Sequence, residues 1–150
     1  MARFAREIVI NAPPERIFEY VADMPRHGEW AQHDLEVTQT SQGGVGVGTT
    51  FSSVGHQFGT QRETQTVAEH TPGARFAFDA KGSIGTVRHA FDLAAADGGT
   101  KVTKSMEVTK PSLMARFMAP MIAKQTKKGL MVDLERIKAK LEAAGVAGNR

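Results

Sequence analysis

Cysteine is absent from the 150 residues, which excludes disulfides, thiolate metal ligands and thiol nucleophiles together. Long apolar runs are absent too. No stretch approaches the ~18 consecutive apolar residues of a membrane-spanning helix. The opening MARFAREIVI has two arginines but no apolar segment long enough for a signal peptide, so the expected location is the cytoplasm. Charge is nearly balanced, with 19 Lys and Arg against 16 Asp and Glu. The basic residues are scattered instead of interleaved with aromatics on one face, and no nucleic-acid partner is expected. What remains is the composition of a globular protein, 41% hydrophobic and 23% charged, long enough for one domain with one core.

Several catalytic and cofactor signatures are also missing. No HExxH occurs; His27 and His33 stand six apart in an irregular stretch, and His56 and His70 fall on different strands or turns. No metal site is expected. No G-x-S-x-G elbow occurs, and GSIG at residues 82–85 reads as a hairpin turn, which leaves covalent catalysis without a nucleophile. GGVGVGTTF at residues 43–51 invites comparison with a phosphate-binding loop, but its third glycine falls one residue too early for G-x-G-x-x-G and no G-K-[ST] follows. The β-branched, alternating GTTFSSVGHQ then promises a strand, so no helix N-terminus is available to hold a phosphate. These glycines are expected to supply positive φ in a hairpin connection, and no cofactor is expected.

FAREIVINA alternates as a strand. PPERIFEYVADM follows as a helix with Ile17, Phe18 and Val21 on one face and its prolines at the start. PRHGEWAQ continues as a second short helix or turn, and DLEVTQT as a half-buried strand. After the glycine loop the strands beginning at GTTFSSVGHQ, TQRETQTVAEH, ARFAFDAKG, GTVRHAFDLAA and TKVTKSMEVT are joined by connections so short that neighbours must pair as an antiparallel meander. Beyond Pro111 the period changes to helical. Ile122, Leu130, Leu134, Ile137 and Leu141 form one stripe at spacings of three and four, with Lys127, Lys128, Glu135, Lys138 and Glu142 on other faces. The expected fold is α+β: a curved antiparallel sheet of six to seven strands wrapped around a long C-terminal helix, with two short helices after the first strand. Residues 1–144 form the single domain and 145–150 a flexible tail.

EIVINAPPERIFEYVADMPRHGEW, GVGVGTTF and LMVDLERIKAKLE together resemble the polyketide cyclase/dehydrase and lipid-transport family of the START-like, Bet v 1-like superfamily of helix-grip folds. The resemblance spans residues 3–144. It implies a cavity between the sheet and the long helix that takes a small hydrophobic molecule such as a lipid, quinone or polyketide.

Strand alternation identifies the inward side chains: Phe76 with Phe78; Val87, His89, Phe91 and Leu93; Val102, Met106 and Val108; Phe51 with Ser53. The expected ligand-binding residues are Trp30, Phe51, Phe76, Phe78, His89, Phe91, Met106, Phe117 and Met121. Each aromatic has an alternative as plain core packing. Leu113, Met114, Phe117, Met118, Met121 and Ile122 crowd more than one face of the helical start, with Pro120 implying a kink or fresh start. A ligand gate, a transient membrane contact, an oligomer contact and packing under the preceding loop all fit this cluster, and the oligomeric state is open between monomer and dimer.

Two further function classes remain beside carriage. One is a cofactor-independent cyclase or dehydratase, for which His89 and Glu63 are the candidate catalytic pair. The other is an interaction module presenting the Met-rich cluster to a membrane or a protein.

Overall fold

A computed structural model describes residues 3–32, 34–56 and 59–148. His33, whose spacing from His27 bears on metal binding, lies outside the described residues. β1 (Arg3–Ile10) is followed by α1 (Pro14–Val21) and a 3-10 helix (Met24–Glu29). Then come β2 (Asp34–Gln39), β3 (Thr50–His56), β4 (Thr60–Thr71), β5 (Arg75–Gly82), β6 (Gly85–Ala96) and β7 (Gly99–Pro111). α2 (Leu113–Phe117) and α3 (Ala119–Gly148) complete the chain. α3 therefore runs past residue 144, where the domain was expected to end. Met118 caps α2 and Pro120 stands in the first turn of α3, so the proline marks a fresh helix start.

One antiparallel sheet holds all seven strands in the order β1-β7-β6-β5-β4-β3-β2. The meander from β2 to β7 follows from its short connections, but β1 adds beside the last strand, pairing Ile8 with Val102 and Phe4 with Met106. The chain must then travel from one sheet edge to the other, and α1 with the 3-10 helix makes that crossing. α1 buries Ile17, Phe18, Tyr20 and Val21, and the Phe18 ring meets Phe76 edge-on at 6.3 Å. α3 lies over β1 and β7 through Leu130, Leu134, Ile137 and Leu141, all buried. Its end is tied down by Glu142, which accepts from the Asn11 backbone N–H (3.0 Å) and from Lys138 (2.9 Å).

The glycine loop is a hairpin connection. Gly43 and Gly48 both have φ of +92°, a conformation that disfavours any side chain, and Gly48 N–H donates to the Val67 carbonyl (2.9 Å) before β3 begins. On the convex side of the sheet, Arg75 bridges Glu69 and Asp92, and Arg88 grips Asp79. Beneath them Ala77 and Ala90 are buried. Small residues here let the charged stems lie flat and cover the sheet. No helix of the described residues is long and apolar enough to cross a membrane.

Candidate functional site

The register aligns the inward side chains in rows across the concave face. One row runs Met106, His89, Phe78, Val67; the next toward the sheet's far end carries Val87, Ala80, Gln65 and Phe51; on the other side stand Lys104, Phe91, Phe76 and His70. Phe51, Phe76, Phe78 and Phe91 are buried here, as expected from alternation. Trp30 closes the 3-10 helix over them, its ring 5.8 Å edge-on from Phe91 and 4.6 Å from the His27 ring. Only 3% of Trp30 is exposed, so it sits inside and not at a rim.

His89 stacks flat on Phe78, centroids 4.8 Å apart and planes 7° from parallel. Removal from water, reinforced by the nearby Lys104 cation and His27, holds its pKa down to about 3. It is surrounded by protein yet keeps part of its surface accessible, and neither nitrogen has a hydrogen-bond partner among the described residues. Met106 in the same row is also only partly buried. His89 and Met106 are thus the two members of this row that are not fully closed off, whereas Phe78 and Val67 are buried. His27 differs: it is sealed in, its Nε2 lies 2.7 Å from the Val21 carbonyl, and burial pushes its pKa down to about 3 as well.

Glu63 faces the same concave side, since a Cβ built on Gly82 would come within 2.8 Å of its Cγ. Burial raises its carboxyl pKa. Its neighbour on β5 is thus Gly82, whereas that of His89 is Phe78. Four residues of strand, about 13 Å, separate those positions. The two proposed proton-transfer groups share a face but are not hydrogen-bonded to each other.

Two expected lining residues are displaced. Phe117 is 91% exposed and Met121 45% exposed, on the outside of α2 and the start of α3. Their helical period was correct, but the break at Met118 sends this short stretch along the surface instead of over the sheet.

The interior also holds an ion pair that alternation reasoning passed over. Lys104 Nζ donates to Asp133 Oδ2 at 2.7 Å, with the two side chains only 5% and 12% exposed. Asp133 Oδ1 accepts from the Gln32 backbone N–H (3.1 Å), and the ammonium lies 4.7 Å from the Trp30 ring centre and 5.6 Å from that of Phe91. The signal was present: Lys104 stands between Val102 and Met106 in an inward row, and Asp133 interrupts the stripe between Leu130 and Leu134. Opposite charges on two buried faces must find each other.

Two further buried polar atoms, Trp30 Nε1 and Gln65 Oε1, have no partner among the described residues, although Gln65 Nε2 donates to Ser53 Oγ at 2.6 Å. The interior thus offers aromatic walls with a few isolated donors and acceptors. The open groove of about 590 Å³ beside α1 mixes charged residues, Arg16, Glu19, Asp23, Arg26, Glu29 and Lys140, with Tyr20, Leu141 and Ala144. Arg26 and Glu29 already pair there at 3.0 Å. No group of three or more His, Asp or Glu among the described residues is placed to hold a metal.

Comparison with solved structures places this architecture among known ones. A protein of Thermus thermophilus superimposes with a TM-score of 0.77 at 17% identity, covering 95% of this chain and 99% of that one. Protein CV1439 of Chromobacterium violaceum gives 0.73 at 15% identity, with 93% and 96% covered. DynU16, a protein in the dynemicin biosynthetic locus, gives 0.66 at 17% identity, with 95% of this chain and 48% of that one covered. At these identities the likeness is one of fold. No curated protein matches the sequence. The family model described as polyketide cyclase/dehydrase and lipid transport matches residues 1–142, and with the helix-grip architecture in place around an aromatic interior, the chain belongs to that family.

Proposed function

We propose that the protein binds or carries a small, mainly hydrophobic molecule between the concave face of the sheet and α3. The observation that carries this reading is His89, on the concave face, partly accessible, and with no hydrogen-bond partner for its ring nitrogens among the described residues. An imidazole serving only as core packing would be sealed and paired, as His27 is. Met106 and Phe78 flank His89 in one row and would give the first apolar contact, with Phe51, Phe76, Phe91 and Trp30 closed off behind them, and neutral His89 favours a ligand with a hydrogen-bonding group such as a carbonyl or hydroxyl. The family's description includes lipid transport as well as cyclisation and dehydration.

Enzymatic cyclisation is the second reading, in which the neutral ring of His89 orients a carbonyl or hydroxyl of the substrate; with its pKa held down to about 3 it is a weak base. It would have to proceed without direct help from Glu63. Native mass spectrometry of protein purified from its own host is expected to show a retained organic ligand. Adding flat aromatic or fatty ligands to stripped protein is expected to change Trp30 emission and raise the melting temperature. A chemically varied set that moves neither signal would leave a filled core as the better account.

A further inference from the structure

We propose that α2 and the first turns of α3 form a docking surface for anionic lipid bilayers. Leu113 is 85% exposed, Phe117 91%, Met114 47% and Met121 45%. Single exposed apolar residues are ordinary, but four large ones within nine positions form a patch that water alone does not account for. α2 is held in place: Ser112 Oγ accepts from the Ala115 N–H (3.1 Å), Ser112 N–H donates to the Ile84 carbonyl (3.0 Å), and Ala115 is the buried anchor. Its other side chains are therefore presented outward by a fixed scaffold.

Charge selects the occupant. Residues 108–132 contain Lys110, Arg116, Lys124, Lys127 and Lys128 and no acidic residue. These are five of the 19 basic residues and none of the 16 acidic ones, so the other fourteen basic residues face a small acidic excess. Lys124 and Lys128 lie three and seven positions beyond Met121, on the same exposed stripe of α3. The flanking acids are turned away: Glu107 projects from the convex side of the sheet, opposite Arg3 and Arg88, and Asp133 is taken by Lys104. Exposed apolar side chains beside Lys124 and Lys128, which form no ion pair among the described residues, match a bilayer with anionic headgroups. A second copy of the chain would bring two such cationic rims together, which opposes face-to-face association. The surface also adjoins the β5–β6 turn, beside Gly82 and Glu63, at one end of the concave face.

The test is sedimentation of the whole protein with vesicles of phosphatidylcholine alone or mixed with phosphatidylglycerol, without added cargo. This keeps the outcome separate from that of ligand binding. The mixed vesicles are expected to retain the protein and the neutral ones not, with retention falling as salt is raised toward ~1 M. Phe117→Ser combined with Leu113→Ser should reduce binding ~10-fold or more, and Lys124→Glu with Lys128→Glu should abolish the preference for the anionic lipid. Unchanged circular dichroism and melting temperature would establish that both variants fold. The proposal is overturned if neither vesicle retains the wild type, if both variants bind as it does, or if the patch variants instead dissociate a dimer in solution.

Discussion

His27 and His89 lie in the same apolar interior, and both are held neutral, yet only His27 is sealed against a backbone carbonyl while His89 keeps part of its surface accessible. Burial is the leading cause for each, and the Lys104 cation pushes in the same direction. An NMR titration should find the His89 ring neutral throughout pH 5 to 8, titrating far below the ~6.5 of a free imidazole. His89→Gln keeps a hydrogen-bonding group at the site. For a carrier the expected loss is ~1 kcal/mol of affinity, about fivefold, read by calorimetry with whichever ligand is retained from the host. A proton-transferring His89 would instead show a ~100-fold fall in turnover with binding nearly unchanged. The contrast with His27 was not legible in the sequence. Alternation placed His89 inward, but no pattern placed His27 against the Val21 carbonyl, because that contact depends on how the 3-10 helix folds back on α1.

The Lys104–Asp133 pair joins three elements: β7, α3 and, through the Gln32 N–H, the segment between the 3-10 helix and β2. Close approach there is also visible at Gly129, where a Cβ would collide with the Gln32 side chain. Removing one member strands a charge in the interior, so Asp133→Leu alone should cost ~3–5 kcal/mol in chemical denaturation. Lys104→Met with Asp133→Leu removes both charges, and the double variant should recover much of that loss. Equal destabilisation of single and double variants would mean that the lost Gln32 contact and packing dominate, not the unpaired charge. α3 itself was legible as an amphipathic stripe. The short α2 was not separated from it, because Met118 carries no breaking signal and Pro120 alone admits either a kink or a new start.

Stability should depend on acid for the molecule as a whole. His27 and His89 have folded pKa values near 3, below the unfolded value, so between about pH 6.5 and 3 the unfolded chain binds more protons. Their neutral burial is fully compatible with folding above that window, and stability falls as pH drops through it. For sealed His27, a 1.5-unit descent from its free value to pH 5 corresponds to ~2 kcal/mol. Glu63 acts in the opposite sense, because burial favours its protonated form. The melting temperature should be level from pH 8 to 7 and decline below about pH 6. His27→Asn, which keeps a polar group near the Val21 carbonyl, should flatten that decline even if it lowers the plateau. An unaltered slope in that variant would place the acid sensitivity elsewhere.

Local physics was enough for the strands, the helices, the antiparallel meander and the hairpin role of the glycines, because each depends on period, turn chemistry and connection length. The inward positions of Phe51, Phe76, Phe78, His89 and Phe91 followed from the same period of two. Tertiary structure decided the rest. The position of β1 beside β7 is a pairing between chain ends that no local pattern encodes. The pairing of Lys104 with Asp133 required α3 to cross that strand at one particular turn. The exposure of Phe117 and Met121 also came from packing, since an apolar helical face reads the same in sequence whether a sheet lies beneath it or only water.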